Sequence, residues 1–214
     1  MKQIIAFGDS NTWGLDPVTK TRFPESVRWT GIMRKELLPA SLYLAEEGLC
    51  GRTTVFADPD RPGLKGLDTI PDLLANYPDA FAAIIMLGTN DCKTVFHASA
   101  EDVGAGLERC LDLFEKRIKP GKLLILSPVL IGEDVWKPEK DPAFDARSVA
   151  VCARLKEVYA EIAERRGHLF LAASDFASAS HADEEHLDAA GHRKLAEAVR
   201  KQIEEWLLPG QGLS

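Results

Sequence analysis

A parallel α/β sheet covered by helices on both faces is the fold class that the sequence predicts. Short β-rich apolar runs alternate with long amphipathic stretches along the chain, the pattern of strands joined by crossover helices. The runs are apolar on consecutive rather than alternate residues, which suits strands buried on both faces. The expectation is a three-layer α/β/α domain spanning residues 1–214, with a flavodoxin-like five-stranded parallel sheet.

The first strand is read at Gln3-Ile4-Ile5-Ala6-Phe7, ended by Gly8. A helical pattern runs from Val27 to Leu38 and stops before Pro39, and Ser41–Ala45 is the second strand. The next helix covers Gly66 to Tyr77; Pro71, which lacks an N–H, is expected near its first turn or at a break. Ala83–Leu87 is the third strand. Ala100 to Ile118 places Val103, Leu107, Cys110, Leu111 and Phe114 on one face, then stops before Pro120-Gly121. Lys122–Leu126 is the fourth strand and His168–Leu171 the fifth, separated by a helix over Asp145 to Arg166 that ends at Gly167. Asp188 to Leu208 closes the chain, with Leu195, Val199, Ile203 and Trp206 on its apolar face. Ser127 to Asp145 holds three prolines and reads as an irregular surface loop near the strand ends.

Composition narrows the function classes. The 214 residues carry 26 Lys+Arg against 33 Asp+Glu, a net charge of −7 with pI near 5.3. That balance offers no electrostatic footprint for a nucleic-acid backbone or an anionic membrane. The apolar stretch Phe81 to Leu87 is far short of the ~20 residues a bilayer span requires. Only Ile4 to Phe7 follow Met1-Lys2-Gln3 as an apolar segment, where a secretory signal needs about 7–15 such residues. Cys50, Cys92, Cys110 and Cys152 stand at wide spacing without a Cys-x-x-Cys pair, as expected of reduced packing thiols in a cytoplasmic protein.

In an open parallel sheet, ligands bind outside the carboxyl ends of the strands, so the residues just after each strand are the ones to inspect. Gly8-Asp9-Ser10-Asn11-Thr12-Trp13-Gly14 follows the first. Ser10 would begin a helical turn there, although Asp9, Ser10 and Asn11 also read as plain cap and turn residues. Glu46-Glu47-Gly48-Leu49-Cys50-Gly51-Arg52-Thr53-Thr54 follows the second; its glycines allow a backbone N–H to approach a ligand, or simply make a loop. Gly88-Thr89-Asn90-Asp91 follows the third, where Asn90 could donate an amide N–H or form an Asx-turn. Before the last helix comes Asp183-Glu184-Glu185-His186-Leu187-Asp188. Asp183 and His186, three apart, can set a carboxylate beside an imidazole, as a general base requires; a solvated acidic helix start has the same composition. His181, Asp183, His186 and His192 also leave a metal-dependent hydrolase open, without a strong zinc spacing. A non-catalytic module holding a small ligand in the same crevice is the third reading.

Taken together these segments resemble the SGNH, or GDSL-type, hydrolases nearly end to end. Phe7-Gly8-Asp9-Ser10 resembles that family's block I, Gly48-Leu49-Cys50-Gly51 block II, Gly88-Thr89-Asn90-Asp91 block III, and Asp183-x-x-His186 block V. Arg28-Trp29-Thr30-Gly31 and Ile84–Asp91 look like the bacterial arylesterase/perhydrolase branch, which includes acyltransferases. The resemblance implies a serine esterase needing no cofactor or metal and acting on a small-molecule ester, with homo-oligomers common in the branch. It implies Ser10 as nucleophile, His186 as base and Asp183 as its orienter. It also implies an oxyanion hole from the Ser10 N–H, the Gly51 N–H and the Asn90 side chain. Trp13 is a candidate for the acyl pocket; Trp29 fits core packing better, and Lys93 reads as solvated. Asn11 departs from the Leu that gives the GDSL name, Glu46 from a frequent Asn, and Cys50 from a frequent Ser or Asn.

Overall fold

The computed structural model describes residues 1–119 and 121–207. Five parallel strands form one sheet in the order β2-β1-β3-β4-β5: β1 Lys2–Gly8, β2 Leu42–Gly48, β3 Ala80–Met86, β4 Leu123–Ser127 and β5 Leu169–Ala172. Beyond the short turn α1, Ser10–Trp13, the helices are α2 Trp29–Leu37, α3 Gly66–Asn76, α4 Ala100–Phe114, α5 Ala146–Arg166 and α6 Ala189–Leu207. This is the flavodoxin-like order expected. Pro120 and Leu208, placed at the end of two expected helices, lie outside the described residues.

Both faces of the sheet are buried. Ile5, Phe7, Ala83, Ile85, Leu123 and Ile125 pack against α3, α4 and α5 through Ile70, Leu107, Phe114, Leu155 and Tyr159. The alternate residues Ile4, Ala6, Ala82, Ile84, Leu124 and Leu126 pack against α2 and α6 through Trp29, Met33, Leu195, Val199 and Ile203. The period-2 alternation of a strand thus feeds two apolar layers, which is why the runs are continuously apolar.

Several boundaries differ from the sequence reading, each for a physical reason. β2 begins one residue later than expected and runs three residues further, to Gly48, although Glu46 and Glu47 interrupt the apolar pattern. Their carboxylates find hydrogen-bond donors: Glu46 accepts from Arg28 Nη2 at 2.9 Å and Thr30 Oγ1 at 2.7 Å, and Glu47 accepts from the Tyr77 hydroxyl. β3 starts earlier, at Ala80, and Leu87 leaves the sheet. Pro71 is neither in the first turn nor at a break; it is the sixth residue of a continuous α3, leaving the Leu67 carbonyl without its helical donor. Regular α4 stops at Phe114, and residues 115–118 continue as turns closed by Glu115 N on Leu111 O and Ile118 N on Phe114 O. Asp145 caps α5 in a reciprocal pair with Ser148 rather than beginning the helix. The 127–145 segment is irregular as expected, yet Val129, Ile131, Val135 and Phe144 anchor it in the core.

Because β1 connects to β2 on one side and lies beside β3 on the other, the chain reverses its direction of winding at the carboxyl end of β1. Such a switch point opens a crevice between neighbouring loops, and Ser10 lies there.

Candidate active site

The turn after β1 is built by its own polar residues. Asp9 caps α1, its Oδ1 accepting from the Asn11 N–H at 3.0 Å. Ser10 is the first helical residue, and Gly14, left-handed at φ 87°, closes the turn by donating to Ser10 O at 2.8 Å. The turn sits hard against the end of β2: a Cβ on Gly48 would come 2.1 Å from Trp13 N. Only a glycine lets the two backbones meet this closely.

Past β2, Gly51 adopts φ +86°, a region that disfavours any side chain. Arg52 then folds back beneath the crevice. Its guanidinium donates to Gly8 O at 2.7 Å and to Glu47 O, and it lies 4.2 Å from the Phe7 ring centroid. Burial pushes its pKa down to about 10, so it remains a cation at neutral pH. Its carbonyl accepts from Asn90 Nδ2 at 3.2 Å, which fixes the Asn90 amide while leaving that nitrogen a second hydrogen. Next door, buried Asp91 accepts from the Thr54 N–H at 2.9 Å and from the Thr54 hydroxyl. The loops after β2 and β3 are therefore pinned to each other by side chains of both.

The segment before α6 completes the site. His186 Nε2 is 2.8 Å from Ser10 Oγ, and His186 Nδ1 is 2.8 Å from Asp183 Oδ2. A carboxylate can only accept, so Nδ1 carries the proton and Nε2 is free to accept from the serine hydroxyl. The other Asp183 oxygen accepts from the backbone N–H groups of Glu185, at 3.1 Å, and His186, at 2.9 Å. Ser10, Asp183 and His186 are each at most 5% exposed.

Electrostatics follow from that burial. Desolvation would raise Asp183, but hydrogen bonds and charge from His186, with Lys20 beyond, hold it well below the usual carboxylate range. Burial would lower His186; the charges of Glu185, Asp183 and Asp9 outweigh it and raise its pKa. Burial pushes Asp9 up to about 7 and raises Glu185, which stands 3.7 Å from His186 Nδ1 without a side-chain hydrogen bond.

The structure thus brings the residues after β1, β2 and β3 together with Asp183 and His186. Trp13 ends α1, half-buried, with the Arg22 guanidinium 5.4 Å from its ring centroid. Trp29 is a core residue whose Nε1 donates to Asn11 O at 3.1 Å. The solvated reading of Lys93 is corrected: its side chain is 14% exposed and lies 3.6 Å from Asp141. Cys50 is half-buried and burial pushes its thiol up to about 11, too high for a ready nucleophile. Of the four residues of the metal alternative, two turn to other partners: His192 Nδ1 accepts from Trp29 N at 3.3 Å, and His181 Nδ1 pairs with Glu184 at 3.0 Å. Among the described residues no three His, Cys, Asp or Glu converge as a metal site. Nor is any described helix long and apolar enough to cross a membrane.

Two residues make contacts that the sequence reading does not foresee. Asn11 reaches across the fold, donating from Nδ2 to Glu185 O at 3.2 Å and accepting from Leu187 N at 2.9 Å. Lys20 Nζ donates to Asp183 Oδ2 at 2.7 Å. Asn11 reads locally as a turn residue and nothing in the sequence around Lys20 singles it out; no local pattern reports a partner more than 160 positions away.

A model of the GDSL-like lipase/acylhydrolase family matches residues 6–194. The chain is similar to the solved aryl esterase of M. smegmatis, at 30% identity and a TM-score of 0.87, covering 96% of this chain and 100% of that one. It is also similar to Est24, a carbohydrate acetylesterase from Sinorhizobium meliloti, at 28% identity and a TM-score of 0.86, covering 96% and 99% of the two chains. A lipase/acylhydrolase from Enterococcus faecalis shares the fold, at 18% identity and a TM-score of 0.68 over 99% and 100% of the chains. None of the curated proteins matches.

Proposed function

The chain belongs to the GDSL-like lipase/acylhydrolase family and is a carboxylic ester hydrolase; from that premise we propose that it cleaves short-chain acyl esters, acetyl-type or aryl, through an acyl-serine formed on Ser10. The observation that carries this reading is the unbroken hydrogen-bonded path from Ser10 Oγ through His186 to Asp183 at the end of β1.

In the proposed reaction His186 Nε2 takes the Ser10 proton as Oγ attacks the ester carbonyl. The imidazolium so formed is stabilised by Asp183. Negative charge grows on the carbonyl oxygen, where the Ser10 N–H, the Gly51 N–H and the Asn90 side-chain amide would meet it. His186 then gives its proton to the leaving alcohol. A water, or an alcohol or peroxide in its place, attacks the acyl-serine with His186 again as base, and Ser10 is regenerated.

The acyl preference rests on the two relatives described as an aryl esterase and a carbohydrate acetylesterase. A cytoplasmic setting agrees with four free cysteines, and assembly into a homo-oligomer is part of the proposal, read by light scattering.

Removing one oxyanion donor typically costs ~3–4 kcal/mol. Asn90→Ala is therefore expected to lose about a hundred- to thousandfold in kcat on p-nitrophenyl acetate while melting near wild type. Near-normal kcat in that variant would remove Asn90 from the oxyanion hole. Rates on the acetate, butyrate and octanoate esters should fall with chain length; a maximum at octanoate would contradict the short-chain assignment.

A further inference from the structure

We infer that Lys20 is a positioning residue for this reaction, extending the path Ser10–His186–Asp183 by one cation and setting the pH range in which His186 serves as base. The inference rests on the proposed roles of those three residues. Its foundation is geometric. Asp183 Oδ1 is occupied by two backbone N–H groups, whereas Oδ2 is shared between His186 Nδ1 at 2.8 Å and Lys20 Nζ at 2.7 Å. The lysine therefore draws on the same oxygen that holds the imidazole.

The loop carrying Lys20 is shaped to deliver it. Leu15 and Arg22 form an antiparallel bridge, and Asp16 N donates to Thr21 O at 2.8 Å. The Asp16 carboxylate accepts from Val18 N at 2.9 Å and from the Thr19 hydroxyl at 2.8 Å, and Lys20 N donates to Asp16 O at 3.0 Å. Arg22 Nε, donating to Trp13 O at 2.7 Å, ties the returning strand to the turn that bears Ser10. At its tip Lys20 takes φ 55°, a left-handed conformation uncommon for a residue with a Cβ.

The charges around His186 give the contact its consequence. From its own segment come Asp183 and Glu185; from the turn after β1 comes Asp9; from α6 comes His192, which burial pushes down to about 4 and so leaves neutral; Lys93 and Asp141 act on Glu185, and Asp16 lies within range of Asp183. Asp183, Glu185 and Asp9 favour the imidazolium, the form that cannot act as a base. Lys20 opposes them: it offsets part of the Asp183 charge and disfavours a second cation nearby. Without it, His186 holds its proton to higher pH.

The test compares kcat/KM profiles of wild type, Lys20→Met, Lys20→Arg and Ser10→Ala on p-nitrophenyl acetate, at low salt and in about 1 M NaCl, where the screening length is near 3 Å. Methionine and arginine keep the same backbone penalty at φ 55°, so the comparison isolates charge. Lys20→Met should move the acid limb upward by roughly half a pH unit at low salt, the scale of a partly exposed ion pair. Lys20→Arg should overlie wild type. In high salt the Lys20→Met and wild-type limbs should converge, because the lysine side chain is 58% exposed. A Lys20→Met limb that coincides with wild type at low salt, or a profile merely scaled down at every pH, overturns the inference. Ser10→Ala separates the two failures. An inactive Ser10→Ala with an unshifted Lys20→Met refutes Lys20 alone, while an active Ser10→Ala removes the catalytic reading and this inference with it.

Discussion

At the scale of single residues, the proposed site brings together carboxylates whose surroundings push their ionisation in opposite directions. Asp183 is held charged by the donors around it, whereas Asp9, buried with one oxygen unpartnered, is pushed up to about 7. A folded-state pKa raised from 3.8 means that stability is full below the unfolded value and is lost as pH rises through about 7. Asp9→Asn keeps a side-chain oxygen for the Asn11 N–H but does not titrate. It should melt higher relative to wild type on the alkaline side of neutrality than on the acid side. Parallel melting curves across that range, read by circular dichroism, would show that Asp9 does not titrate there. His186 obeys the opposite logic for activity. With His186 as the proposed base, its raised pKa means that protonation removes that base at higher pH than for a free imidazole, so the acid limb of kcat/KM should lie above the ordinary value of about 6.5. A limb below that value would show that burial outweighs the neighbouring carboxylates.

At the scale of elements, α1 and the segment before α6 act as one unit through Asn11. Residues 11 and 185–187 are joined by two buried hydrogen bonds, together worth about 2 kcal/mol. These bonds hold the segment that carries His186 against the turn that carries Ser10. Asn11→Ala should therefore lower the melting temperature and reduce kcat between about ten- and a hundredfold, the cost of misplacing a catalytic group by about 1 Å. Wild-type kcat with a lowered melting temperature would confine Asn11 to stability. The elements were largely legible because continuous apolar runs announce strands buried on both faces. The end of β2 was not, since Glu46 and Glu47 look like a strand terminus until Arg28, Thr30 and Tyr77 are brought to them from elsewhere in the fold. Pro71 misled in the same way: a local rule against proline within helices gave way to the packing of Ile70, Leu73 and Leu74.

At the scale of the whole molecule, the site exists because the sheet order brings distant segments to one edge. Ser10 and His186 are 176 positions apart in sequence and 2.8 Å apart in space. Each contributing segment follows a strand or precedes a helix, so its local sequence marks it and its motif is legible in the sequence alone. What could not be read is which side chains from other loops converge on them. Lys20, Arg52 and Asn11 act through partners set by topology, and a single sequence carries no periodicity for such contacts.

The most direct measurement of the central claim is the hydrolysis of p-nitrophenyl acetate by wild type and Ser10→Ala, each with and without EDTA. The predicted result is wild-type activity indifferent to the chelator and abolished by Ser10→Ala in a protein that still melts cooperatively. Activity persisting in Ser10→Ala, or wild-type activity lost to EDTA and restored by a divalent ion, would contradict the acyl-serine mechanism.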